Sequence, residues 1–188
     1  MTRAAFPLWP HQTAAIKAAY AAITAGAKAP LLVLQQGAGK TRIAFEMVVH
    51  ARSRGRRCVF AAHRRNLVEQ SAAKFREYSA GVVVPALYMA GHAFDSGAQV
   101  IVASLQSMEA REFKVLPNDF VVVDEAHLAH SCDLVATHPD ALWLGLTATP
   151  TRAWVTSPTP YTLPDLVAGS VIAFGVGRGP DYTRAAAE

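Results

Sequence analysis

The chain has 188 residues, of which 52% are hydrophobic and 17% charged, with a formal net charge of +4. That length accommodates one domain with a full core, not two ordinary ones, and the composition excludes a disordered or coiled-coil protein. The positive balance is compatible with a polyanionic partner but does not specify one. Cys58 and Cys132 stand far apart with no CxxC spacing, which argues against a zinc site or a disulfide framework and for a reducing, cytoplasmic compartment. Met1 to Pro10 carries a single charge and early prolines, unlike a secretory leader, and no run of 18 apolar residues offers a membrane span.

In chain order, His11 to Ile23 has the spacing of an amphipathic helix, with Gly26 behind it. Pro30 releases the apolar run Leu31 to Leu34, which reads as a strand covered on both faces. A glycine-rich loop follows, with its helix from Thr41 to Ala51. Arg57 to Ala62 predicts a strand and Leu67 to Tyr78 a helix. Further strands are expected at Val82 to Met89, Val100 to Ala103, Phe120 to Val123 and Leu142 to Leu146, with a helix from Leu105 to Phe113. Strands alternating with helices imply an α/β fold, a mostly parallel sheet with helices on both faces. Ligands of such sheets sit at the carboxyl ends of the strands, where the motifs below fall. From Thr151 onward there are four prolines and four glycines, and only Ser170 to Phe174 resembles a strand. The expected division is therefore a domain over 1–152 and a Pro/Gly-rich tail, partly ordered or truncated, over 153–188.

Gln36-Gly37-Ala38-Gly39-Lys40-Thr41 matches the end of the phosphate-loop pattern G-x-x-x-x-G-K-[ST], although Leu34 stands where the first glycine is expected. Gly37 and Gly39 let backbone N–H groups turn toward phosphate oxygens, and the following helix adds its dipole. Lys40 suits the β- and γ-phosphates, and the Thr41 hydroxyl suits Mg2+. Downstream, Val121-Val-Val-Asp124-Glu125 puts two carboxylates at a strand end. Asp124 is the candidate holder of Mg2+, and Glu125 the candidate base that orients and deprotonates an attacking water. Combined with the loop upstream, the pair reads as the catalytic half of an ATP site, with Lys40 as its third catalytic member.

These motifs, in this order, resemble the superfamily 2 helicases and translocases of the DEAD/DEAH-box type, as found in bacteria and phages. The resemblance runs over roughly residues 6 to 152. Leu8-Trp-Pro-His-Gln12 looks like an adenine-recognition motif, Gln36 to Thr41 like motif I, and Val59 to Gln70 like motif Ia. Val102-Ala-Ser104-Leu-Gln106 looks like a nucleic-acid strand motif, Asp124 to His127 like motif II, and Thr147-Ala148-Thr149 like motif III. What the resemblance implies is the N-terminal RecA-like P-loop lobe of an ATP- and Mg2+-dependent motor. Its Gln12 would read adenine. His63, Arg64, Arg65, Ser104 and Gln106 would follow a DNA strand, or alternatively RNA, and His127, Thr147 and Thr149 would couple hydrolysis to movement.

Six arginines crowd the second predicted strand: Arg52, Arg54, Arg56, Arg57, Arg64 and Arg65. Arg52 and Arg54 suit a helix C-terminus, whereas Arg64 and Arg65 stand at the strand's carboxyl end, where a phosphate backbone can pass. Hydrolysis, as the resemblance implies, also needs arginine fingers from a second RecA-like lobe. The 38 residues after Pro150 hold Arg152, Arg178 and Arg184 in no finger motif. The expectation is a half-motor whose second lobe is supplied in trans or lost by truncation. The competing class is a non-catalytic, nucleotide-gated module that binds nucleic acid or protein.

Overall fold

Apolar runs of four to six residues become parallel strands because helices can cover both of their faces. The computed structural model describes residues 7–126, 134–148 and, as backbone, 171–174. Within them the chain runs α1 (Pro10–Thr24), β1 (Leu31–Leu34), α2 (Lys40–Ser53), β2 (Cys58–Ala62), α3 (Arg65–Tyr78), β3 (Ala86–Tyr88), β4 (Val100–Ser104), α4 (Leu105–Ala110), β5 (Phe120–Asp124), β6 (Leu142–Thr147) and β7 (Val171–Phe174). The strands form one sheet in the order β3-β4-β2-β5-β6-β1-β7. Every pairing is parallel, so all strand carboxyl ends share one edge, and the motif residues with them.

Side chains alternate across the sheet with the period of two that strand geometry requires. In β2, Cys58, Phe60 and Ala62 enter a core shared with α1, α2 and α3, where Phe60 and Phe45 each meet Phe75 edge-on with centroids 5.4 Å apart. Val59 and Ala61 enter a second core on the other face with α4, Phe113 and the buried Trp143. The indole N–H of Trp143 is satisfied by the His138 carbonyl at 3.0 Å. Cys58 is fully buried, and burial first, then the Asp119 charge, pushes its thiol up to about 12. It is the small apolar filler the sequence suggests; Cys132 lies outside the described residues.

Two expected elements are shorter than the apolar pattern implies. Of Val82 to Met89 only Ala86–Tyr88 pairs, with β4. Val82 and Val84 are 67% and 65% exposed, and Pro85 has no N–H to offer a ladder. The helix expected over Leu105 to Phe113 stops at Ala110. Glu112 takes a left-handed backbone (φ 48°) and the Phe113 N–H reaches back to the Met108 carbonyl at 2.8 Å. This closure turns Phe113 into the second core. Within the tail, Val171–Phe174 adds to the sheet beside β1, in register from Leu31↔Val171 to Leu34↔Phe174.

The amino ends of the strands are fastened separately. Arg57 donates to both carboxylate oxygens of Asp119 (Nε to Oδ1 3.0 Å, Nη2 to Oδ2 2.6 Å) and to the Lys114 carbonyl. Asp119 is 1% exposed and also accepts the Leu116 N–H at 2.8 Å. Arg57 thus belongs to a clasp between the starts of β2 and β5, far from the strand ends that carry Arg64 and Arg65.

Candidate functional site

The phosphate loop sits between β1 and α2, with α1 folded over it. Pro10 opens α1 at a position where no N–H is needed. The Trp9 N–H donates to Gln12 Oε1 at 3.0 Å, which aims the amide nitrogen at the loop. Gln12 Nε2 then donates to the Ala38 carbonyl at 3.2 Å, and His11 Nε2 lies 3.0 Å from the same oxygen. Gln12 is 5% exposed. The first turn of α1 therefore holds the loop by one carbonyl, through two side chains.

The loop itself uses two left-handed glycines, Gly37 at φ +82° and Gly39 at φ +78°. A Cβ on Gly37 would meet open space, whereas one on Gly39 would run into the Gln12 amide. Gly39 caps α2, and its carbonyl accepts the N–H groups of Arg42 at 2.9 Å and Ile43 at 3.1 Å. A helix head opening onto such a loop attracts an anion through its N–H groups and its dipole. Lys40 and Thr41 stand in the first turn, half-buried, and Gln36 is exposed in the loop. Leu34, in place of the first glycine, is a buried residue of β1.

Asp124 ends β5 opposite Leu146 of β6. Its Oδ1 accepts the Glu125 N–H at 3.1 Å. Glu125 has φ +53°, an uncommon conformation for a residue with a Cβ, and the Ala126 N–H pins the turn to the Leu146 carbonyl at 2.9 Å. This turn brings Glu125 Oε1 to 3.9 Å from Lys40 Nζ. Asp124 and Glu125 are both half-buried, open enough to meet a ligand. Thr147 is fully buried at the end of β6, the strand that separates β5 from β1. His127 and Thr149 lie outside the described residues.

Beyond β6 and β5 from β1, the carboxyl ends of β2 and β4 lie side by side, with Ala62 in register with Ser104. Arg64 and Arg65 are exposed there, His63 is half-buried and Gln106 is exposed, while Ser104 is 6% exposed at the head of α4. Arg65 forms an exposed ion pair with Glu69 at 3.4 Å, a contact of at most about 1 kcal/mol that a phosphate can displace. Sequence reasoning missed His11, whose only signal was its place beside Gln12. It also grouped Arg57 with the other arginines, because nothing local announces a carboxylate 62 residues away.

The donor set fits a triphosphate with a hard cation. Thr41 and Asp124 offer oxygen, and Mg2+ is ordinarily held by one or two protein oxygens together with phosphates and water. Among the described residues no three His, Cys, Asp or Glu side chains cluster into a cage of their own. Nor is any helix among them long and apolar enough to cross a membrane.

Residues 5–152 match the family described as "Type III restriction enzyme, res subunit". No curated protein matches the chain. Among solved structures, the UvsW helicase of bacteriophage T4 superposes with a TM-score of 0.65 at 15% identity, over 79% of this chain and 56% of that one. The Hef helicase domain of Pyrococcus furiosus gives 0.68 at 21% identity, over 95% and 39%. The SWI2/SNF2 ATPase core of Sulfolobus solfataricus, solved in complex with dsDNA, gives 0.67 at 11%, over 92% and 45%. The chain thus spans about half the length of these structures or less. At such identities the likeness is one of fold, and it is the same fold in each case. The parallel sheet has the RecA-like fold of these helicase structures, and the chain belongs to the family of the type III restriction enzyme res subunit.

Proposed function

We propose that the chain is the ATP-binding first motor lobe of a DNA or RNA helicase or translocase, and that it hydrolyses ATP when a second RecA-like lobe completes the site. The observation that carries this reading is the meeting of Lys40 and Glu125, 3.9 Å apart, from a phosphate loop and a strand end that the sequence separates by 85 residues. In this reading Gly37, Ala38, Gly39 and Lys40 wrap the phosphates, with Gln36 at the loop's mouth. Gln12 addresses the adenine. Thr41 and Asp124 would hold Mg2+, which offsets phosphate charge when bound. Glu125 takes the proton of the attacking water.

Arg64, Arg65 and Gln106, at the paired ends of β2 and β4, meet a phosphate backbone in this reading, together with His63 and Ser104. In the same reading His127, Thr147 and Thr149 couple hydrolysis to movement. A second lobe would bring the arginine that stabilises the transferred phosphoryl group, a contribution of about 10³–10⁵ in rate. The test is ATPase activity measured with and without DNA or RNA, and with and without a supplied second lobe. Turnover stimulated by nucleic acid in the completed pair is expected. Nucleotide binding with no turnover in any combination would instead describe a non-catalytic module.

A further inference from the structure

The face opposite the motif edge carries a second arginine cluster. Arg52 ends the last turn of α2, Arg54 caps it, and Arg56 follows two residues later, before β2 begins. Arg52 and Arg54 are exposed and Arg56 half-buried. The three stand in one five-residue stretch, from the last turn of α2 to the residues just before β2, and so share one corner of the molecule. Among the described residues none of the three forms an ion pair, unlike Arg57 beside them. Among the described residues the Arg56 side chain donates one long bond, 3.3 Å, to the Asn118 carbonyl. A cleft of about 350 Å3 is lined by Arg56, Lys28 and one carboxylate, Asp140, while Asp119 and Glu46 nearby are taken by Arg57 and Arg42.

A structural role does not absorb this charge. The carbonyl end of a helix carries about half an elementary negative charge, and one cation satisfies it. Three guanidiniums therefore leave a surplus of about +2.5 before Lys28 is counted. With one carboxylate among them, like charges held together repel, so the cluster lowers stability unless something anionic meets it. The chemistry of the partner follows from the side chains. The cluster is arginine rather than lysine, and guanidinium forks match phosphate oxygens in pairs. Of the exposed large apolar residues among those described, Leu116 (39%) alone lies near, so the described part of this face lacks the apolar centre of a protein interface.

The geometry points to a second phosphate-backbone contact at this pole, made by Arg52, Arg54, Arg56 and Lys28 and independent of the nucleotide site. It goes beyond the proposed motor surface at Arg64 and Arg65. The two clusters flank β2 at its opposite ends. Arg56 and Arg64 are eight positions apart, which at about 3.3 Å per extended residue sets them at most about 26 Å apart. A duplex longer than about eight base pairs, at 3.4 Å each, can reach from one cluster to the other along the flank of the lobe.

The test is binding of a fluorescein-labelled 20-bp DNA duplex, followed by anisotropy between 50 and 300 mM NaCl. It uses the wild-type chain, R52Q/R54Q/R56Q, R52K/R54K/R56K and R64Q/R65Q. Each lost phosphate contact lowers the slope of log affinity against log salt by about 0.9. The basal glutamine triple is expected to lose about 2–3 in slope and at least tenfold in affinity at 50 mM salt. The lysine triple keeps the slope and shows that the fold is intact, and R64Q/R65Q loses about 2 independently. An unchanged slope and affinity in the glutamine triple would overturn the basal contact whatever R64Q/R65Q does. Displacement of the duplex from R64Q/R65Q by poly-glutamate at equal charge concentration would also overturn it, assigning the face to an acidic polypeptide.

Discussion

Lys40 Nζ lies 3.9 Å from Glu125 Oε1 across the mouth of the phosphate loop, with the lysine side chain 11% exposed and the glutamate 34%. Without nucleotide, the loop's cation is thus partnered by the carboxylate proposed to act as base. A bound triphosphate competes for the same lysine, and on taking it separates Lys40 from Glu125. Glu125→Gln is therefore expected to retain ATP binding, at an affinity equal to or tighter than wild type, while abolishing turnover in the complex with a second lobe. Isothermal titration and a phosphate-release assay separate the two effects. Weaker binding by this variant would contradict the competition, and equal turnover would remove Glu125 from the chemistry.

Lys40→Ala has the opposite signature. It removes a charge-assisted contact to phosphate, worth about 1.5–3 kcal/mol for each hydrogen bond lost. ATP binding is expected to fall by at least about 100-fold, to below detection in a millimolar titration. The melting temperature without nucleotide should barely move, since the ion pair it breaks is partly solvated. Unchanged nucleotide affinity would refute the cradle.

Gly39 and Gly37 have equally left-handed backbones and different surroundings, which makes a controlled comparison. Ala at either position carries the left-handed penalty of about 1–2 kcal/mol. At Gly39 the new methyl also strikes the Gln12 amide and displaces it from Ala38. Gly39→Ala should thus destabilise the lobe more than Gly37→Ala in urea unfolding, and Gln12→Ala in the Gly39→Ala background should recover the difference but not the backbone term. Equal losses at both glycines would show that Gln12 yields at no cost.

Much of this arrangement is visible in the sequence, for a physical reason. Parallel strands covered on both faces need unbroken apolar runs, so Leu31 to Leu34 and Phe120 to Val123 announce themselves, and the polar residues that follow each run mark the working edge of the sheet. The same logic misleads at Val82 to Met89. Hydrophobicity there does not report that Pro85 interrupts the ladder, or that Val82 and Val84 remain in solvent. Long-range pairs leave no local trace at all. Nothing around His11 signals that its imidazole will meet the Ala38 carbonyl, and nothing around Arg57 signals Asp119. The pairing of Val171–Phe174 with β1 is of the same kind, a strand whose neighbour is chosen by topology and not by sequence distance.

The Arg57–Asp119 clasp stabilises the fold without touching the chemistry, so its loss should separate stability from binding. Asp119→Ala leaves a guanidinium that is only 18% exposed without its carboxylate, and leaves the Leu116 N–H unsatisfied. Breaking one side of such a pair costs about 3–5 kcal/mol. The expected result is a large drop in the urea midpoint, with ATP affinity of the remaining folded protein unchanged at low denaturant. A loss below 1 kcal/mol would mean that water replaces the carboxylate, and that the two strand starts are held by β2–β5 pairing alone.

The buried thiol gives a pH signature on the alkaline side. Folding raises the Cys58 pKa from 9.0 to about 12, chiefly because burial disfavours the thiolate. The unfolded chain therefore releases this proton at a lower pH than the folded one. The stability that comes from keeping the thiol neutral is whole below about pH 9 and is lost progressively as pH rises through the folded value near 12. Tyr20, also raised by burial, contributes in an overlapping range, so the difference between wild type and Cys58→Ala is the informative quantity. Urea unfolding at pH 8 and pH 10.5 should show wild type losing more stability than Cys58→Ala over that interval, and the native thiol should resist alkylation at pH 8. Parallel losses in the two proteins would show that Cys58 ionises as freely in the fold as out of it.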